Sequence, residues 1–541
     1  MRYCGVIGWI ALATVTACGG GGSSGSKPIA LGWVQGQFAP RSSFATMCAT
    51  PRTGVDPTTN KAYLDRQGTA LDEKNWLRSW TNDLYLWYSE VPDQDPANFT
   101  SGTADLDYFK VLKTPASRTT SGGIVIPKDK FHFHYTTARW EALSQSGVSA
   151  GYGATFAFIA NRPPRNLIVA YTEPNSPATL APASLARGAQ ILNVDGVDLV
   201  NATDQASIDT LNAGISPATV GETHVFSILD AGASTARTVT LVSAQIALQP
   251  VRNVQVIQTS TGPVGYMQFN DHLATAESAL FTAFTTLQAA NVTDLILDIR
   301  YNGGGYLDIA SEVAYMIAGP SMTAGQTFEL PQFNSKYPTT DPVTGNTITA
   351  TPFFSTTQGF STTQGQPLPT LNLKTVYVLT GKGTCSASES IINSLRGVNV
   401  NVIQVGSTTC GKPYGFYPTD NCGITYFSIQ FQGVNAQNFG SYTDGFSPNN
   451  TVDTPTTIAG VKIPGCSIAD DFSHALGDTA EGVLSSALSY RTNGVCSTGP
   501  TGLQVNSRKS AQSYGFSPLS EVPDIQVVKS LWQNNRIYRT Q

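Results

Sequence analysis

Residues 376–397 read VYVLTGKGTCSASESIINSLRG, and the fold turns on them. Residues 376–380 are apolar and β-branched, the composition of a strand buried on both faces. Gly381 and Gly383 then mark a turn. Beyond it, Ile391, Ile392 and Leu395 recur at helical spacing. The stretch therefore predicts a strand, a glycine turn and a helix, with Ser386 where the helix begins. Such a turn lifts a serine hydroxyl to the edge of a sheet, as a nucleophile elbow does. The helix start adds unpaired backbone amides and the positive end of a dipole, which together suit an oxyanion. A blander reading competes. Ser386-Ala387-Ser388-Glu389 is also a capping box, with serine at the N-cap and glutamate at N3. Ser388 can cap instead, so both readings stay open on this motif alone.

A serine hydroxyl needs a base to take its proton. The chain has five histidines. His132 and His134 alternate along one strand face, His224 lies further on, His272 follows a strand, and His474 falls in a segment read as helical. None stands in a glycine-punctuated turn. Lys412 does. It lies in VGSTTCGKPYG, residues 405–415, directly after the buried run NVIQVG of residues 401–406. Two parallel strands joined by the helix after Ser386 bring both turns to the carboxyl edge of one sheet, where open α/β sheets gather their sites. A lysine base needs its pKa brought from ~10.4 to near 7 or 8, roughly 4 kcal/mol of differential interaction, which desolvation can supply. Cys410, Tyr414 and Phe416 are suitable apolar neighbours. The alternative is a surface lysine in a hairpin.

Two other motifs lead nowhere. Gly406 to Lys412 spells G-x-x-x-x-G-K, the phosphate-loop spacing. Its next residue must be Ser or Thr and must open a helix, whereas Pro413 and Pro418 oppose one. Residues 147–151, GVSAG, match G-x-S-x-G, but the strand-like GYGATFAFIA of residues 151–160 follows where a helix is required.

Working outward, residues 249–496 alternate buried strands with helices. GPVGYMQFN is a strand and residues 274–290 a helix. DLILDIRYNGGG, residues 294–305, is a strand running into a glycine turn, with a helix over 307–318. Residues 319–370 read as a polar loop or lid of low order, with FSTTQG repeated in tandem over 354–365. Residues 146–248 read as short strands with Gly and Pro turns, including an Asp195-Gly196 hairpin. This segment resembles a PDZ domain. Gly151, Tyr152, Gly153 and Ala154 match its carboxylate-binding loop. Ser176-Pro177-Ala178 and the LNVDG of residues 192–196 match later signatures, while Ala189 departs where an aspartate is usual. The resemblance implies that an extended C-terminal peptide is taken as an added strand. Residues 61–145 read as a helical region with Trp76, Trp80, Leu84 and Trp87 as its aromatic core.

The chain has 541 residues, enough for about three domains. Charged residues make up only 13% and the net charge is −5, so no basic footprint for nucleic acid exists. Arg2, the short apolar run 6–16 and Val15-Thr16-Ala17-Cys18 resemble a bacterial lipoprotein signal. They imply cleavage before Cys18 and a lipid on its thiol as the sole membrane attachment. Residues 1–17 are then the signal peptide, 18–60 a tether opening with GGGGSSGS, and 497–541 a polar tail. Of eight cysteines, Cys4 leaves with the signal and Cys18 carries lipid, which leaves six to pair outside the cytosol. Cys466 and Cys496 flank one helical segment and are the favoured pair. No C-x-x-C spacing suggests zinc.

Taken together, residues 70–495 are similar to the C-terminal processing (tail-specific) serine peptidases, relatives of tricorn protease. The resemblance implies a multidomain α+β protein: an N-terminal helical region, a PDZ-like β-rich domain over 146–248, and a ClpP/crotonase-like α/β peptidase core over 249–496. It implies Ser386 as nucleophile, Lys412 as general base, and the Ala387 amide as one oxyanion donor. The second donor comes from the turn after Asp298-x-Arg300-x-Asn302-x-Gly304-Gly305, with Gly304 favoured. No metal or cofactor is expected. The function implied is an exported, lipid-anchored serine endopeptidase facing the periplasm or cell exterior, engaging protein substrates by their free C-termini. Two departures stand out. Phe416 occupies the position, four after the lysine, where several members carry Gln, and the serine-to-lysine interval is a residue longer than usual. The alternatives are a lipid-anchored peptide-binding protein that no longer cuts, and a Ser/His esterase-type hydrolase.

Overall fold

The computed structural model describes residues 33–57, 60–120, 123, 125–453, 458–496 and 535–538. The expected signal peptide and Cys18 lie outside them. Three helices lead: α1 (Ala70–Leu84), α2 (Ala104–Val111) and α3 (Thr137–Ser146). Thr69 and Asp72 form a capping box that starts α1. Trp76 and Trp80 stack with ring centroids 5.4 Å apart, and Leu84 is buried in the same cluster. Trp87 departs from the helical stripe. It lies half-buried beyond α1, edge-on to Tyr414 at 4.9 Å. Tyr426, far along the chain, closes the Trp cluster at 5.6 Å from Trp76, so the core of the helical region is completed from outside it.

The tether expected through residue 60 ends much sooner. Residues 47–48 pair with Arg66–Gln67, Phe44 is buried with the tryptophans, and Cys48 is disulfide-bonded to Cys422. Arg78 donates to the carbonyls of Val34 and Gln37. A covalent bond and a buried ring hold a segment whose composition alone reads as linker.

The next unit has strands β1 (Val148–Gly151), β2 (Ala154–Ala160), β3 (Asn166–Thr172) and β4 (Gln190–Val194), then α4 (Gln205–Ile215), β5 (Thr223–Leu229), β6 (Arg237–Val242) and β7 (Ala244–Ala247). The sheet is antiparallel in the order β6-β5-β4-β3-β2, with Val197–Asp198 turning back onto β4. That turn is the Asp195-Gly196 pair, both at positive φ (50° and 80°), as a two-residue hairpin of this hand requires. β1 pairs with β7 and so closes the unit where the chain enters and leaves. Its core is separate, built from residues such as Leu167, Ile191, Ile208, Leu211 and Phe226.

The α/β core follows with β8 (Val251–Thr259), β9 (Gly262–Phe269), α5 (Ala276–Ala289), β10 (Asp294–Asp298), β11 (Gly304–Tyr306), α6 (Leu307–Ala318), β12 (Thr375–Thr380), α7 (Ala387–Gly397), β13 (Asn401–Gly406), β14 (Tyr414–Gly415), β15 (Phe431–Val434), β16 (Gly465–Ser467) and α8 (Gly482–Asn493). The sheet order is β8-β9-β10-β12-β13-β16, parallel except for the β8–β9 pair. Strand alternation sorts the core into two layers. Leu295, Leu297, Val376, Val378 and Val402 face one layer with α5, α6 and α7. Ile296, Tyr377, Leu379, Ile403 and Val405 face the other with Val483 and Leu484 of α8. The favoured Cys466–Cys496 disulfide is present and ties β16 to the segment after α8. A last strand, β17 (Asn535–Ile537), pairs with β11, within a region read from sequence as polar tail.

The expected disordered excursion over 319–370 is ordered. Thr327–Gln332 pairs with β15. The buried Glu277 carboxylate accepts from the amides of Gln358, Gly359, Ser361 and Thr362, within the tandem repeat. Glu312 accepts a second bond from Gln358, and burial followed by the neighbouring Glu277 raises its pKa to about 10. A polar repeat looks unstructured until two buried carboxyl groups gather its amides.

Candidate active site

The Ser386 turn is pressed against the turn that follows β10. Arg300 anchors that second turn. It is buried and bonded to Asp298, Asp470 and Glu481 at 2.7 Å each, so the Asp-x-Arg motif is structural in its contacts. Asp470 also holds Arg187, which donates to Tyr301 and thereby clamps the β1–β7 unit to the α/β core. From the turn, the Asn302 carbonyl accepts from the Cys385 amide at 3.1 Å and from the Ser388 hydroxyl at 3.0 Å. A Cβ on Gly381 would lie 2.7 Å from the Arg300 carbonyl oxygen, so only glycine lets the two turns approach.

Ser386 stands at φ 62°, ψ −114°, outside the regions open to ordinary residues and worth about 1–3 kcal/mol of local strain. Its residue is fully buried and stands in capping-box geometry with Glu389, whose carboxylate accepts from the Ser386 amide at 2.9 Å. The serine oxygen faces the N3 amide without closing a hydrogen bond of full geometry, so the cap and the nucleophile readings share one residue.

Glu389 does more than cap. One carboxylate oxygen accepts from the Ser386 amide (2.9 Å) and from the Lys412 amide (2.8 Å). The other accepts from the Gly411 amide (2.9 Å) and the Thr409 hydroxyl (2.5 Å). Burial raises its pKa, with these four donors opposing. A disulfide between Cys385 and Cys410 joins the same two loops one residue before the serine and two before the lysine. Sequence reasoning saw Glu389 only as a cap and left this cysteine pair open.

Lys412 is fully buried, with Nζ 4.2 Å from the Phe416 ring centroid and 4.9 Å from that of Phe131. Phe416, the residue that departs from the family pattern, is itself buried and supplies a ring face where a carboxamide was expected. Phe131 comes from the N-terminal region and carried no sequence signal. Nor did Lys130, whose Nζ donates to the Cys410 carbonyl at 3.3 Å and whose pKa burial lowers.

The expected oxyanion donors differ. Ala387 opens α7, where an amide has no intrahelical acceptor. The Gly304 amide is engaged, donating to Asn302 Oδ1 at 3.0 Å. The reason is local: the Asn302 side chain folds over its own turn, its Nδ2 fixed on the Phe269 carbonyl. In the β1–β7 unit, Gly151 pairs with Ala244, and Tyr152 is buried with its hydroxyl on the Gly214 carbonyl. Gly153 sits at φ +76°, where a Cβ would strike Ser176 at 2.2 Å. Ala154 opens β2, the edge strand of that sheet.

The histidines sit elsewhere or are disarmed. His272 is buried beside the Asn302 turn, donating from Nδ1 to Asn302 Oδ1, and burial lowers its pKa to about 3. His132 donates from Nε2 to the Phe109 carbonyl, and burial lowers its pKa to about 4. His134 lies against Phe109 and Tyr426. His224 meets Asp195, and His474 meets Asp471 in a turn before α8 rather than in the expected helix. A prediction follows for acid stability. Above pH ~6.5 both states carry neutral imidazoles and nothing changes. Below it the unfolded chain gains protons that buried His272 and His132 refuse, so each costs about 1.4 kcal/mol of stability per pH unit down to its folded pKa. Urea unfolding between pH 7 and 4 should show this fall, and a flat profile would refute it.

The family model for peptidase family S41 matches residues 263–416, from β9 through Phe416. This stretch is a peptidase family S41 domain. A carboxyl-terminal-processing protease of Picosynechococcus sp. is 28% identical over 245 residues, 44% of this chain and 49% of that protein. One from Synechocystis sp. is 27% identical over 270 residues, 49% of this chain and 55% of that protein. The chain thus matches these curated relatives over about half of their length. A solved structure described as an S41 protease from Bacteroides fragilis covers 78% of this chain and 97% of its own, at 21% identity and a TM-score of 0.52, and so shares the fold. Within the S41 domain lie both turns and the lysine loop. The Glu389 joint and the Cys385–Cys410 disulfide lie wholly within the matched residues, whereas the ring pocket around Lys412 takes Phe131 from outside them.

Proposed function

We propose that the chain is a serine endopeptidase of the C-terminal processing type, with Ser386 as nucleophile and Lys412 as general base. The observation that carries this reading is the single Glu389 oxygen that takes the amides of both residues, beside a buried serine hydroxyl with no other hydrogen bond. In this mechanism Lys412 Nζ takes the hydroxyl proton as Ser386 Oγ attacks the scissile carbonyl carbon. The Ala387 amide receives the oxyanion, and Gly304 joins it if its amide turns from Asn302. The proton passes to the leaving amine, and water, deprotonated by Lys412, releases the acyl group. The edge strand β2 offers a ladder for a substrate C-terminus next to Gly151–Ala154. Three disulfides among the described residues fit an oxidising compartment outside the cytosol, as export by a Cys18 lipid would place it.

The test sets wild type, Ser386→Ala and Lys412→Ala side by side on an unfolded protein substrate. Cleavage by wild type alone supports the dyad. Cleavage that survives Lys412→Ala moves the base elsewhere, toward the Ser/His reading. A silent wild type that still binds C-terminal peptides makes the protein a tethered peptide binder.

A further inference from the structure

The strand β17 takes no part in the chemistry proposed for Ser386 and Lys412. It lies parallel to β11 with Gly304 opposite Asn535, Gly305 opposite Arg536 and Tyr306 opposite Ile537. On its other side Ile537 bridges to Phe416. The strand therefore spans from the glycine turn proposed to face the oxyanion to the aromatic residue whose ring lies under Lys412 Nζ. It also touches α7, the helix that Ser386 begins. Ile537 is 2% exposed and seated among Trp140, Leu143, Leu273, Phe416 and Phe427. The next residue, Tyr538, lies 4.9 Å from the Phe431 ring and 5.8 Å from that of Tyr417, with its hydroxyl 3.1 Å from Thr351 Oγ1.

We propose that this segment of the chain occupies the groove in which substrate is held, and so reports both how the groove binds and what it prefers. The proposal rests on the peptidase reading and names its substrate class. The backbone of β11 and Phe416 takes an extended peptide between them as an added strand. An apolar pocket then selects an aliphatic side chain, and an aromatic cleft selects the aromatic side chain that follows it. Held by its own chain, the groove is closed to part of the population. Apparent affinity for an external peptide falls by the fraction open, so a groove open one-tenth of the time binds about tenfold more weakly.

The experiment uses the full chain as wild type, Ile537→Asp and Tyr538→Ala, each also carrying Ser386→Ala so that nothing is cut. A fluorescein-labelled peptide of sequence NNRIYR, residues 534–539, is titrated and anisotropy is read. Ile537→Asp should bind the peptide about tenfold more tightly than wild type. Tyr538→Ala, which leaves the buried isoleucine in place, should shift the same way by a smaller factor. A peptide with aspartate in place of isoleucine should bind none of the three. In the versions that retain Ser386, Ile537→Asp should lower the KM for an unfolded substrate. Tighter peptide binding without any cleavage keeps the groove assignment and fails the peptidase reading. Equal peptide affinity in all three proteins overturns the groove assignment, whatever the cleavage assay reads.

Discussion

Lys412→Met is expected to lower kcat on an unfolded protein by about 10⁴-fold and leave the fold standing. Methionine keeps the length of the side chain and its packing between Phe131 and Phe416, so the change in stability should stay within about 1.5 kcal/mol. What it removes is the amine. The described histidines are engaged elsewhere: His272 bonds Asn302 Oδ1 with its pKa lowered to about 3, His132 bonds the Phe109 carbonyl, His224 meets Asp195 and His474 meets Asp471. The readout is kcat against the midpoint of urea unfolding for both proteins. Near-wild-type turnover by the methionine variant would remove Lys412 from the chemistry. Loss of turnover together with a collapsed unfolding midpoint would make it a core residue.

Glu389→Gln should cost about 2–4 kcal/mol and most of the activity at once. The carboxylate offers only acceptors to four donors from two loops. A carboxamide must turn its NH₂ toward at least one buried N–H, and each stranded donor costs about 1–3 kcal/mol. Turned one way, it strands the amides of Ser386 and Lys412 together. Turned the other, it strands that of Gly411, and the Thr409 hydroxyl that already accepts from the Phe446 amide must reorient. The raised pKa of Glu389 recovers part of this, since glutamine carries no buried charge. The Cys385–Cys410 disulfide keeps the loops joined, so the variant should fold with a mispositioned serine and lysine. Denaturant unfolding and kcat on the same preparation test this. A variant that loses stability but keeps wild-type kcat would reduce Glu389 to a helix cap.

The sequence by itself determined the elements whose pattern is local. The helix over Leu307–Ala318 lies where its spacing predicts, and the strand, turn and helix around Ser386 follow from β-branching, two glycines and a 3.6-residue period. The Asp195-Gly196 hairpin follows from the positive φ its turn needs. Ser386 and Lys412 could be nominated because each follows a strand at one sheet edge, while Ala387 and Gly304 were named by the resemblance to C-terminal processing peptidases. Tertiary structure decided whatever depends on a distant partner. The repeat over 354–365 is ordered by Glu277, some 80 residues earlier. The presumed tether is held by Cys48 on Cys422, separated by 374 residues. The Trp cluster is closed by Tyr426, and the ring wall of Lys412 is completed by Phe131. Gly304 was nominated as a donor, and only the fold placed Asn302 Oδ1 upon its amide. Capping-box letters were visible at Glu389, but its bonds to Gly411 and Lys412 were not. A buried polar group must find its partners wherever the fold brings them, and spacing along the chain carries no record of that place.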